Sequence, residues 1–262
     1  MSLRIGITER GDAGLDLSWV EACRAGKVDG CIAITKNLNP EVRKAILELN
    51  KDGFPLIVHI TCTGYGQTIV ERNVPKAEAQ IFYARKLIDA GFPAERMVFR
   101  VDPIFPTEKG IQRAVDTINS AILLGVLPKA RCRISILDEY KHVKERFKKA
   151  GLPTVYPDNQ FTALEKEYRM VAEALSQFDL TYETCAEPFL SKFASNPNQF
   201  IQQGCVSLKD IELMGLEPDP DMIVNPQNRK GCTCLSCKTE LLTTKRACRR
   251  MENICGRSFS CL

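Results

Sequence analysis

Cys232, Cys234, Cys237, Cys248, Cys255 and Cys261 place six of the chain's twelve cysteines within its last thirty-one residues. Their spacing is C-x-C-x2-C followed by C-x6-C-x5-C. Thiolates this close in sequence can converge on a soft metal ion or an iron–sulfur cluster. The segment is too polar to build a core of its own, so ligation is its expected work. The other use of clustered cysteines, a disulfide framework, belongs to small secreted scaffolds. Met1 to Arg10 lack the apolar core of a signal peptide, and no stretch approaches the roughly 18 apolar residues of a membrane span. The expectation is a cytoplasmic protein with reduced thiols, no membrane association and a metal site in the tail.

The other cysteines divide by position. Cys23, Cys31, Cys62 and Cys132 fall in or beside helix and strand patterns, where cysteine behaves as a small buried hydrophobe. Cys185 and Cys205 stand apart, each able to complete a cluster. Two histidines, His59 and His142, argue against a zinc enzyme built on several imidazoles. No G-x-G-x2-G or P-loop motif is present.

A length of 262 residues, 44% hydrophobic and 26% charged, is that of an ordinary globular chain with a sizeable core. The net charge of +4 sits in the tail: Arg229 to Leu262 hold eight Lys or Arg against two acids, and the rest holds 28 against 30. Such a patch suits nucleic acid, a phosphorylated substrate or the charge of a thiolate cluster; a solvated basic tail is the plainer reading.

Short β-branched runs alternate with amphipathic stretches, the pattern of βα units feeding a parallel sheet. Strands are expected at Arg4 to Thr8, Cys31 to Thr35, Leu56 to Thr61, Met97 to Val101, Arg131 to Ile136 and Leu180 to Thr184. Helices are expected at Leu15 to Ala25, Pro40 to Asn50, Lys76 to Ala90, Glu108 to Leu124, Glu139 to Lys149 and Thr162 to Gln177. Pro40 and Pro75 suit helix starts; Gly53, Gly91 and Gly151 lie just past helix ends. Repeated units of this kind point to an α/β fold, a (β/α) TIM-like barrel, complete or partial. The expected organisation is a barrel body over 1–216, a Pro-rich linker over 217–228 and an irregular cysteine-rich tail over 229–262.

In such folds the working groups sit at the C-terminal ends of the strands. Those positions are polar throughout: Thr8-Glu9-Arg10-Gly11-Asp12, Thr35-Lys36-Asn37, Thr63-Gly64-Tyr65-Gly66 followed by Glu71-Arg72-Asn73-Val74-Pro75, Arg100-Val101-Asp102-Pro103, Ser135-Ile136-Leu137-Asp138-Glu139-Tyr140 and Glu183-Thr184-Cys185-Ala186-Glu187. Charges beside apolar strands are costly to desolvate unless they pair or bind something. A salt bridge or a cap explains any one of them, whereas a ligand site explains the set.

The ordered combination of Thr35-Lys36-Asn37, Thr63-Gly64-Tyr65-Gly66, Asn73-Val74-Pro75, Arg100 to Ile104, Arg133 to Tyr140, Cys185-Ala186-Glu187 and the terminal cysteines resembles an uncharacterised bacterial and phage family. That family is related to the DNA repair photolyase and spore photoproduct lyase group of radical S-adenosylmethionine enzymes. The resemblance implies a TIM-like barrel, a 4Fe-4S cluster, S-adenosylmethionine and an electron donor such as flavodoxin or ferredoxin. On that reading three cysteines hold three irons and leave the fourth open to S-adenosylmethionine. Arg100 and Lys36 suit a carboxylate or phosphate. Asp102, Glu9 and Glu187 suit an ammonium or a ribose hydroxyl, with Arg10, Asn37, Thr63, Ser135 and Asp138 lining the cofactor. Tyr65 and Tyr140 suit stacking on an adenine or donating a hydrogen. A nucleic-acid base, in DNA or as a nucleotide, is the expected substrate class.

The chain departs from the group's usual pattern. Ordinary members carry C-x3-C-x2-C after the first strand, where Thr8 to Asp12 hold no cysteine. The cluster would come from the C-terminus, with Cys248, Cys255 and Cys261 as first choice. Cys232, Cys234 and Cys237 would serve a second cluster, or both groups one site. Two other classes stay open: a structural zinc module with a nucleic-acid-binding tail, and a non-catalytic iron–sulfur redox protein.

Overall fold

The computed structural model describes residues 2–157, 160–184, 186–224 and 231–242. Among these, the chain forms β1 (Ile5–Ile7), α1 (Ser18–Arg24), β2 (Gly30–Thr35), α2 (Pro40–Lys51), β3 (Leu56–Thr61), α3 (Ala77–Asp89), β4 (Met97–Ile104), α4 (Glu108–Leu123), β5 (Arg131–Ile136), α5 (Lys141–Lys149), α6 (Glu165–Leu175), β6 (Tyr182–Thr184), α7 (Leu190–Phe193), β7 (Phe200–Gln202), α8 (Leu208–Leu213) and β8 (Lys238–Glu240). Local chemistry starts and stops these helices. Asn39 caps α2 by accepting from the Val42 N–H at 3.0 Å, with Pro40 at the first helical position. Thr107 caps α4 by accepting from Gly110 at 3.1 Å. Val42, Ala45, Ile46 and Leu49 recur at helical spacing, so one face of α2 is buried.

The strands form one parallel sheet in the order β7-β6-β5-β4-β3-β2-β1-β8. Each of the first seven lies beside its sequence neighbours, and β8 returns to pair with β1. β2 and β3 are buried along their whole length, which is why they read as near-continuous apolar runs. Side chains alternate between two faces. Cys31, Ala33, Val58, Ile60, Phe99, Val101, Cys132 and Ile134 pack with the helices. Ile5, Ile7, Ile32, Ile34, Ile57 and Val98 form a second core with Cys205, Val206, Ile211, Met214, Cys234, Leu235 and Cys237.

Residues 231–237 cross this second face. Gln202 Nε2 donates to the Gly231 carbonyl at 2.6 Å, Leu235 N–H to Val206 at 3.1 Å, and Ile5 N–H to Cys237 at 2.9 Å. The path runs from the end of β7 to the start of β1, where the chain turns into β8. Among the described residues no ladder joins the edge strands β7 and β8.

All six expected strands and six expected helices are present within three residues at each end. Among the described residues the sheet has two further strands, β7 and β8, each three residues long. Cys234, Leu235 and Cys237 are buried in the second core and β8 belongs to the sheet. The expected linker also pairs with this segment, through Ser236 N–H to the Ile223 carbonyl at 3.0 Å and a bridge between Val224 and Leu235. Cys185, Cys248, Cys255 and Cys261 lie outside the described residues.

Candidate functional site

Polar side chains gather where β1 to β6 end. After β1, Asp12 accepts from Gly14 N–H at 2.8 Å, Thr35 Oγ at 2.7 Å and Lys36 N–H at 2.7 Å, bracing the first two loops. Burial outweighs these bonds and raises its carboxyl above the ordinary range. Lys36 Nζ pairs with Glu71, whose other oxygen accepts from Thr63 Oγ. Both partners of this ion pair are buried. Glu71 comes from the loop after β3, which folds back because Gly66 leaves no Cβ against the Pro75 carbonyl.

At the ends of β4 and β5, Arg100 pairs with Asp102, and Ser135 Oγ donates to the same carboxylate at 2.5 Å. Beyond β6, Glu187 accepts from Ile136 N–H at 2.7 Å and Tyr168 Oη at 2.9 Å. Burial, and next Glu187, push the Tyr168 phenol up, so it stays a donor. Glu139 accepts from Val155 N–H at 2.7 Å, which ties down the loop after β5.

The remaining expected residues are placed around these groups. Glu9 pairs with Lys238 of β8, and the Arg10 N–H donates to Glu240 at 3.0 Å while its side chain faces solvent. Burial pushes the Glu240 carboxyl up to about 7. Asn37 and Asp138 are half-buried in their loops. Tyr65 stacks on Phe105 at 4.6 Å with Arg113 over its ring, and Tyr140 stacks on His142 and meets Phe161 edge-on. Both tyrosines pack on a satellite cluster of Val70, Phe105, Leu137, Val143 and Phe147. Lys36 and Arg100, expected to receive an anion, are each engaged by a carboxylate of the chain itself.

Below this rim runs a polar row that Arg100 joins to residues outside the expected site, among them His59, Thr61, Arg131 and Asp210. The register sets Thr61 beside Arg100, Arg100 beside Arg133, and Arg133 beside Glu183. Glu183 accepts from both Arg133 and Arg131, and Arg131 also reaches Asp210 at 2.6 Å. Burial alone would raise the Glu183 carboxyl, but Arg133 and Arg131 outweigh it and hold it low. His59 is fully buried one step down β3, and neither of its ring nitrogens has a hydrogen-bond partner among the described residues. Burial, helped by Arg133 and Arg100, holds its pKa well below 6.5, so the ring is neutral. The signal available was period 2: His59, Arg100 and Arg133 alternate with apolar residues and so share the inner face.

Of the expected metal ligands, Cys234 and Cys237 are buried and Cys232 is half-buried. Cys205 N–H donates to Cys234 Sγ at 3.1 Å. No three Cys, His, Asp or Glu side chains among the described residues converge as a ready-made metal cage. Cys23, Cys31, Cys62 and Cys132 are core residues, as their positions imply. A cavity of about 350 Å³ opens elsewhere, at the starts of β5 and β6, lined by Lys129, Arg131, Glu183, Gln203 and Lys209. None of the rim residues lines it, and its charges are largely taken up by one another, so the rim is the stronger candidate.

The protein is thus an α/β protein whose described residues form an eight-stranded parallel sheet, with a buried polar rim after β1 to β6. It belongs to the family described as "Domain of unknown function (DUF1848)", which it matches over residues 17–250. No curated protein matches it. Among solved structures, the carboxyl transferase domain from Rhizobium etli pyruvate carboxylase is similar at 11% identity and a TM-score of 0.32, over 77% of this chain and 39% of that one. The chain spans well under half of that structure, and a likeness at this level carries no functional argument. No described helix is long and apolar enough to cross a membrane.

Proposed function

We propose that the protein is a radical S-adenosylmethionine-type enzyme acting on a nucleic-acid base, with a TIM-like barrel body and a 4Fe-4S cluster held by C-terminal cysteines. Kinship with the DNA repair photolyase and spore photoproduct lyase group belongs to the same reading. The observation that carries it is the rim: six consecutive strands each lead into a buried polar side chain at the C-terminal end of the sheet, among them Asp12, Lys36, Thr63, Asp102, Glu139 and Glu187. A sensor or a zinc knuckle has no use for so many desolvated groups.

The donor set suits the cofactor, since thiolates are the ligands of iron–sulfur clusters. Cys248, Cys255 and Cys261 would hold the cluster, which when bound and reduced would offer an open iron to S-adenosylmethionine and supply the electron for its cleavage. Asp102, braced by Arg100 and Ser135, is set to accept from an ammonium or a ribose hydroxyl. Glu187, held by Ile136 N–H and Tyr168, offers the same chemistry across β5 and β6. Lys36 and Glu71 form a neutral pair that can exchange bonds with a polar ligand without leaving a buried charge alone. The basic tail would meet the phosphates, and a flavodoxin or ferredoxin would supply electrons.

The test is iron, sulfide and visible and EPR spectra on anaerobically reconstituted protein, with and without S-adenosylmethionine. About four irons and four sulfides per chain, with spectra perturbed by S-adenosylmethionine, support the proposal. Failure to assemble any cluster overturns it, and a cluster blind to S-adenosylmethionine leaves only a redox protein. Asp102→Ala should then abolish the perturbation while leaving iron content unchanged.

A further inference from the structure

Cys205, from the stretch after β7, meets Cys234 of the segment before β8, and Cys232 and Cys237 flank Cys234 on that segment and pack in or against the same apolar cluster. We propose that these four thiols form a second, closed site for one tetrahedral metal ion of zinc's class, clamping the two edges of the sheet together. Cys205 stands 29 residues from Cys234 in sequence, yet its N–H donates to that sulfur at 3.1 Å. The approach is set by Gly204, where a Cβ would lie 2.6 Å from the Cys234 backbone. The next residue continues the contact, through Leu235 N–H to the Val206 carbonyl at 3.1 Å.

Backbone N–H donation to a sulfur stabilises a thiolate, and pre-orienting it lowers the cost of gathering several negative sulfurs. The surroundings fit a closed rather than a catalytic site. Cys205, Cys234 and Cys237 are buried and belong to one apolar cluster with Ile5, Ile32, Ile57 and Val98, an environment that suits a closed structural site. The tight C-x-C-x2-C spacing keeps three sulfurs on one short segment, and Cys205 supplies the fourth from the facing stretch. A single ion needs sulfurs about 2.3 Å from its centre. No three described ligands already meet at a point, so binding would have to turn the side chains of Cys232 and Cys237 toward Cys205 and Cys234. Binding is balanced as one divalent ion and four thiols giving a tetrathiolate of charge minus two and four released protons.

The location supplies a purpose. β7 and β8 are the sheet's two edges, with no ladder between them among the described residues. A metal here would link the chain leaving β7 to the chain entering β8. Edge strands of three residues have few hydrogen bonds of their own, so such a crosslink would do what their ladders cannot.

The experiment loads the full chain with zinc, then with cobalt(II) as a spectroscopic probe, and compares it with Cys205→Ser and with a Cys248→Ser, Cys255→Ser, Cys261→Ser triple variant. Expected are one tightly held metal per chain and visible bands of tetrahedral thiolate coordination. The triple variant should keep those bands, whereas Cys205→Ser should lose about a quarter of the sulfur-to-cobalt intensity and bind zinc at least ~10-fold more weakly. Because Cys205→Ser could fail to fold, alkylation of Cys205 in the unmodified chain provides a second reading, and zinc should protect it. Bands that survive Cys205→Ser unchanged, bands lost in the triple variant, or alkylation of Cys205 at the same rate with and without zinc would each overturn the site. A missing iron–sulfur cluster would leave this result untouched, so the two proposals fail separately.

Discussion

The backbone N–H of Cys205 donates to the sulfur of Cys234 at 3.1 Å, and Gly204 is what lets the two stretches meet. A side chain at 204 would press on backbone rather than on a movable side-chain end. Gly204→Ala should therefore destabilise the fold by roughly 1–3 kcal/mol, the cost of forcing extra volume into a packed interior. The urea midpoint reports this, and an unchanged midpoint would mean that the stretches are not so closely packed.

Lys36 and Glu71 form a buried ion pair, with Thr63 donating to the same carboxylate. Removing one partner strands the other, so Lys36→Met should cost about 3–5 kcal/mol. Adding Glu71→Gln should recover part of that loss. A double-mutant cycle by denaturant unfolding measures the coupling; simple additivity would show that the pair does not act as a unit.

His59 is buried and neutral, held below its usual pKa by burial and by the nearby guanidiniums. The unfolded chain takes up a proton as pH falls below about 6.5, and the folded chain resists it. Stability attached to this group is complete above that value and is lost on acidification. His59→Gln should flatten the decline between neutral and mildly acidic pH relative to the unmodified chain. Parallel curves for the two proteins would remove His59 as a cause.

Glu240 titrates the other way. With its carboxyl pushed up to about 7, the folded chain holds a proton that the unfolded chain has released. Its contribution is full below the ordinary carboxylate value, about 4.3, and is lost as pH rises to about 7. Glu240→Gln should hold stability steadier across that interval, read as the melting temperature at several pH values. A variant that tracks the unmodified chain would refute the assignment.

Burial pushes the Cys62 thiol up to about 12 and raises Cys31 and Cys132 as well. At mildly alkaline pH these residues hold almost no thiolate and should resist alkylation in the native chain, reacting only after unfolding. Mass spectrometry of briefly alkylated protein gives the pattern. Rapid labelling of Cys62 would show that its site opens.

The polar rim was legible because Glu9, Lys36, Thr63 and Asp102 each lie at the end of a mainly apolar run of strand pattern, with Ser135 and Glu187 in or just past the next two expected strands. Their pairings were not legible. Glu71 sits in a loop whose return path depends on Gly66 meeting the Pro75 carbonyl, a contact that no local pattern announces. His59 looked like an interruption of an apolar strand until the register set it near Arg100 and Arg133.

The sequence by itself determined the six strands β1 to β6, the helices between them and the core cysteines, because periodicity, caps and proline or glycine punctuation act over a few residues. Only the tertiary structure decided that β7 and β8 complete the sheet, that residues 231–237 are buried against it, and that Cys205 meets Cys234. The edge strands β7 and β8 and contacts across 29 residues have no local signature, since their free energy comes from surfaces that exist only once the other strands are in place.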